Sequence, residues 1–124
     1  DICDSIGAEY LGEHEATISL NGVKVMLWHG EDGASYALSY RLQKIIESLS
    51  GGEKPQILIA GHDHKYGNFF IRNVHALGAG CIQKQTPWMR RKRLAAYEGF
   101  NIIEATIKDG EVKKFKTEWI PFYI

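Results

Sequence analysis

Between Val23 and His64 the chain carries two short apolar runs separated by one amphipathic segment, and that order restricts its topology sharply. Val23–Trp28 (VKVMLW) reads as a strand that grows more apolar toward its end. Leu38, Leu42, Ile45, Ile46 and Leu49 recur at the spacing of one helical face, with Arg41, Lys44 and Glu47 off it. This predicts a helix, with Ser35 or Asp32 as N-cap and Gly51 as its stop. Gln56–Ala60, preceded by Gly51, Gly52 and Pro55, is short and bounded by breakers, so it predicts a buried strand. Such a strand–helix–strand unit makes two parallel strands with the helix crossing one face. Parallel strands end at the same sheet edge. His29 closes the first, and His62 and His64 follow the second, where Gly61 is expected to turn the backbone. All three imidazoles are therefore expected at one carboxyl edge, where open α/β sheets bind ligands.

Imidazole is the commonest side-chain ligand for transition metals, so this convergence marks His29, His62 and His64 as candidate metal ligands. Asp63 either orients the two histidines beside it or is a solvated turn residue. His14 lies before the strand unit and His75 inside a later strand-like run; for both a structural role is expected.

The flanking sequence is β-rich. Ala16–Leu20, then Asn21-Gly22, then Val23–Trp28 predicts a hairpin, as does Phe100–Ile107, Asp109-Gly110 and Val112–Ile120. Asn68–Arg72 and Val74–Leu77 predict two short strands turning near Asn73, the second continuing through Ala79–Gln83. A short strand is expected near Ala8–Leu11. The 124 residues fit a single domain. Acidic and basic residues balance at 15 each, so net charge favours no class of partner. Cys3 and Cys81 are too few for a disulfide framework, and no apolar run approaches a membrane span. A cytoplasmic protein without membrane contacts is the expectation. Lys84–Arg93 places Arg90, Arg91, Lys92 and Arg93 in a row beside Trp88. That run is either a solvated face or a track for a nucleic-acid backbone with an aromatic to stack a base.

Leu27-Trp28-His29-Gly30, Gly61-His62-Asp63-His64, and the helix and strands around them resemble the C-terminal half of calcineurin-like metallophosphoesterases. Gln85–Arg91 is similar to a segment that follows G-H-x-H in some members. The resemblance covers nearly the whole chain from about Ala8. It implies a mixed, largely antiparallel α/β fold with one strand–helix–strand unit, the C-terminal part of a β-sandwich flanked by helices. It also implies a phosphate mono- or diester substrate and two divalent ions, Mn2+ first, with Fe, Zn, Ni or Mg as alternatives. Carried over, His29 and His62 ligate the second ion and His64 the first, while Arg90 and Arg91 are candidates for positioning a phosphodiester. The family's D-x-H, G-D-x-x-D and G-N-H-D motifs do not occur, and with them go the bridging aspartate and the histidine that protonates the leaving group. Residues 1–124 are thus expected to form one partial domain that pairs with a missing N-terminal half or with itself and hydrolyses little in isolation. The other reading is a non-enzymatic module of this fold, binding metal, protein or nucleic acid.

Overall fold

The computed structural model describes residues 2–30 and 37–123. Asp32 and Ser35, the expected N-caps, lie outside them. In chain order the elements are α1 (Ile2–Ile6), β1 (Glu15–Leu20), β2 (Val23–Trp28), α2 (Tyr40–Ser48) and β3 (Ile57–Ala60). There follow β4 (Tyr66–Ile71), β5 (Val74–Ala79), α3 (Pro87–Arg91), β6 (Gly99–Lys108) and β7 (Glu111–Pro121).

Strands β1 to β5 form one sheet in the order β1-β2-β3-β5-β4. Its three inner strands, β2, β3 and β5, are parallel, and the antiparallel β1 and β4 close its two sides. The crossover from β2 through α2 to β3 sets Trp28 beside Ala60, so both strands stop at one edge as their order requires. Strands β6 and β7 make a separate antiparallel ribbon. The fold is the expected mixed α/β arrangement with one strand–helix–strand unit and a predominance of antiparallel pairs.

Period-2 alternation gives the sheet two buried faces. On one, Met26, Leu58, Ala60, Val74 and Ala76 meet Leu42 and Ile46 of α2. On the other, Val23, Val25 and Ile57 meet Ala105, Ile107, Val112 and Phe115 of the ribbon. The result is three layers, helix, sheet and ribbon. Gln56 fastens the far layer: its amide nitrogen donates to the Gly110 carbonyl (2.8 Å) and its amide oxygen accepts from the Val112 N–H (3.0 Å).

Several expectations are corrected. Residues 8–11 form no strand; the N-terminal element is instead the helix α1, which buries none of its residues. Strand β5 ends at Ala79, and beyond it only Cys81 pairs, in an isolated bridge with Glu98. The N-cap of α2 is Ser39, whose hydroxyl makes no bond to the helix backbone, and its C-cap is Leu49, two residues short of Gly51. Arg41, read as lying off the apolar face, is buried with its guanidinium 5.3 Å from the Trp28 ring centroid. Helical spacing assigns a charged side chain to solvent by default, whereas a neighbouring aromatic face gives it somewhere to stack.

Candidate metal-binding edge

The histidine motif stands at the carboxyl end of β3, and the backbone there is unusual. Gly61, expected to make the turn, has an ordinary negative-side conformation; the positive φ values fall on His62 (75°) and His64 (58°). Left-handed backbone costs a residue with a Cβ on the order of 1–2 kcal/mol, and two such residues flank Asp63. Hydrogen bonds hold the conformation. The Asp63 N–H donates to the Gly61 carbonyl (3.0 Å), and Asp63 Oδ1 accepts from the Lys65 N–H (3.2 Å). The His64 carbonyl accepts from the Tyr97 N–H (2.8 Å). Asp63 therefore serves the turn itself.

The glycine that the site does require is Gly30. Its φ is +84°, and a Cβ there would stand 3.1 Å from both a terminal nitrogen of Arg41 and the Trp28 ring. Across the edge, the Gly61 N–H donates to the Trp28 carbonyl (3.0 Å) and the His29 N–H to the His14 carbonyl (2.9 Å). These bonds bring His29 and His62 together, with ring centroids 5.0 Å apart and planes at 64°. His64 lines the same concavity, and its Nδ1 is buried without a hydrogen-bond partner.

That concavity, of about 540 Å³, opens between the sheet and β6. Its walls are Ile59 and Leu77 on one side and Phe100 and Ile103 on the other, with the three histidines at one end. Asn101, Cys81 and Gln83 also line it, and none of them stands out in the sequence as a site residue. Asn101 donates to the Ala79 carbonyl (2.9 Å) and leaves its amide oxygen buried and unpaired. Cys81 donates weakly to the Gln83 carbonyl (3.2 Å), and burial pushes its thiol above the ordinary range, with Glu98 adding to the rise against that hydrogen bond. Asn101 reaches the histidines only through the docking of β6, whereas Cys81 follows the end of β5 directly.

Arg90 and Arg91 are placed elsewhere. Both are exposed on α3 and neither lines the concavity. The segment that precedes them is a helix start: the Thr86 hydroxyl accepts from the Met89 N–H (3.1 Å) and Pro87 follows at the first helical position. A Thr-Pro pair is a legible signal for this, missed beneath the charge run.

The donors fit a metal site in part. Two imidazoles are near enough to face one ion and a third offers an unsatisfied nitrogen, but among the described residues no three His, Cys, Asp or Glu side chains stand as a ready ligand set.

No family model matches the sequence, and no curated protein is significantly similar to it. Solved structures do resemble the fold. Zinc-complexed Vps29 from Entamoeba histolytica aligns with a TM-score of 0.51 at 20% identity, over 94% of this chain and 65% of its own. The chain has a metallophosphoesterase-type fold. Vacuolar protein sorting 29 from Cryptosporidium parvum (TM-score 0.47, 14% identity, 87% of this chain and 57% of its own) is more distant. So is protein TM1076 of Thermotoga maritima (TM-score 0.43, 24% identity, 86% and 54%). The chain spans less than two thirds of the length of each of these structures.

Proposed function

We propose that this chain carries the histidine-bearing part of a divalent-metal phosphoesterase centre, with the carboxylate ligands coming from outside the described residues. The observation that carries the reading is the His29–His62 pair, 5.0 Å between ring centroids, at the end of two parallel strands. His29 and His62 would share one ion and His64 would serve a second. Mn2+ leads the candidates, and the zinc complex of a protein with the same fold keeps zinc among them. A divalent ion at such a site acidifies coordinated water and polarises a phosphoryl oxygen. The chain's own residues orient and enclose: the left-handed turn aims the imidazoles, Ile59, Leu77 and Ile103 limit water, and the unpaired Asn101 oxygen accepts a hydrogen bond from a substrate hydroxyl. The substrate class is a phosphate mono- or diester.

Calorimetric titration with Mn2+ and, separately, Zn2+ tests the reading. Binding is expected in the unmodified chain and in His75→Gln, and at least about tenfold weaker in His29→Ala/His62→Ala, since each lost ligand costs a kcal/mol or more. Equal affinity in that double variant would refute it.

A second reading, a non-enzymatic interaction module, is favoured by the lack of a ready three-ligand set among the described residues and by the apolar walls of the concavity. The exposed run Arg90–Arg93 beside Trp88, itself 54% exposed, then gives nucleic acid a backbone track. Neither ion would bind, and single-stranded DNA would bind with a steep salt dependence.

A further inference from the structure

Residues 82–98 leave the sheet and return to it as one lobe, closed where Cys81 bridges Glu98. The Cys81 N–H donates to the Tyr97 carbonyl (3.0 Å), and the Gly99 N–H donates to the Cys81 carbonyl (2.8 Å). Inside the lobe, Gln85 Nε2 donates to the Leu94 carbonyl (2.7 Å), and buried Met89 anchors α3. The lobe carries five basic residues, Lys84, Arg90, Arg91, Lys92 and Arg93, against one carboxylate, Glu98. That carboxylate is already engaged, accepting from the Gln85 N–H (3.0 Å). All five basic side chains are exposed, as is Trp88. Among the described residues the ion pairs form elsewhere, at Arg72–Glu47 and Lys113–Glu111. The remaining chain holds ten basic against fourteen acidic groups, so attraction for a polyanion is confined to this lobe.

The neck of the lobe is also a wall of the histidine concavity. Cys81, Ile82 and Gln83 line it on the way out, and Gly99 and Phe100 line it on the way back. At that neck the Tyr97 N–H holds the His64 carbonyl (2.8 Å). We propose that the lobe guides single-stranded nucleic acid, with the backbone on the arginines and a base on Trp88, and leads the adjoining nucleotide into the concavity. The planar fork of arginine matches a phosphate, and an exposed aromatic stacks any base. The concavity, about 540 Å³, is in the range of small-molecule pockets, so a duplex or a lipid surface does not enter it. Strand and ion are then bound together rather than as alternatives, and the substrate of the histidine edge narrows to a polynucleotide phosphodiester. Only this last step rests on the phosphoesterase reading, since the strand needs no ion to bind.

Fluorescence anisotropy of a labelled oligothymidylate about twelve nucleotides long, in EDTA over a salt series, tests the guide. The slope of log K against log salt is expected at about −3, and nearer about −1 in Arg90→Gln/Arg91→Gln/Arg93→Gln, where three phosphate contacts are lost. Trp88→Ala should bind at least about fivefold more weakly, and so should the oligomer paired with its complement, which has no free base to stack. With 5-iodouracil in place of thymine, ultraviolet crosslinks mapped by mass spectrometry are expected at Trp88 and at Phe100, the second marking entry into the concavity. An unchanged slope in the triple variant, a duplex bound as tightly as the single strand, crosslinks confined to Trp88, or capture by phosphatidylserine vesicles in place of the oligomer would each overturn the proposal. The metal titration involves none of these groups, so either reading can fail while the other stands.

Discussion

The indole of Trp119 lies on the ring of Tyr66, centroids 4.7 Å apart and planes within 14° of parallel. The stack joins β7 to β4, and Thr117 adds hydrogen bonds to the Tyr66 hydroxyl (3.1 Å) and the Asn68 amide nitrogen (3.2 Å). Trp119 is seated there because two glycines make room. A Cβ at Gly80 would stand 2.6 Å from its ring, and one at Gly99 would stand 2.8 Å from it while colliding with the Ile120 carbonyl.

Removing the ring and crowding it are therefore expected to converge. Trp119→Ala should cost about 2–3 kcal/mol, less than a fully buried aromatic because the ring is half-exposed. Gly99→Ala should cost as much or more, since the clash falls on backbone. Urea unfolding of both variants checks this; a Gly99→Ala chain as stable as the parent would contradict the seat described.

Gln56 is the other fastening of ribbon to sheet. Gln56→Ala removes two hydrogen bonds at once and leaves the Gly110 carbonyl and the Val112 N–H to find water, for an expected loss of about 1–3 kcal/mol. Gln56→Glu should restore only part of this, because a carboxylate accepts from Val112 but cannot donate to Gly110. Paired denaturation curves of the two variants supply the comparison.

His75 stands between the rings of Phe70 (4.7 Å) and Phe115 (4.8 Å). Burial there lowers its pKa below the ordinary imidazole value of 6.5. The unfolded chain then binds the proton more tightly than the folded one. The His75 contribution is present above pH 6.5 and is lost as pH falls from that value through the lowered one. Stability should decline over that window in the parent and decline less in His75→Gln. A parallel decline in both, followed by thermal melts from pH 7.5 to 5, would rule His75 out as the cause.

Burial also sets the reactivity of Cys81. Its raised pKa leaves little thiolate at neutral pH, so alkylation by iodoacetamide should run slower than for an unhindered thiol, with its pH–rate midpoint above 9.0. Mass spectrometry of the Cys81 peptide over a pH series measures this directly.

The parts of the fold that the sequence carried openly are local. Asn21-Gly22 and Asp109-Gly110 announce turns in which both residues take positive φ, and Arg72-Asn73 does the same less conspicuously. The convergence of the three histidines followed from strand order alone. What stayed hidden is tertiary. Arg41 is buried because Trp28 faces it and Gly30 leaves space, neither of which has a period along the chain. Asn101 joins the histidines only through the docking of β6, far away in sequence. The left-handed histidines defied the expectation placed on Gly61 because the hydrogen bonds of residues 61–65 and 97 fix the turn, while composition points to the glycine.

The sheet also implies an order of events in time. The hairpins β1–β2, β4–β5 and β6–β7 each close over two residues, so each pairs with its nearest neighbour along the chain. Such ribbons form in about 1–10 μs. Strand β3 has no such neighbour: both its partners, β2 and β5, are parallel to it, so its pairing is non-local on either side. Non-local pairing is the slow part of assembly. In pulse-labelled hydrogen exchange the amides of Ile57–Ala60 should gain protection after those of the hairpins, which makes the strand that delivers His62 and His64 the last piece of the sheet to arrive.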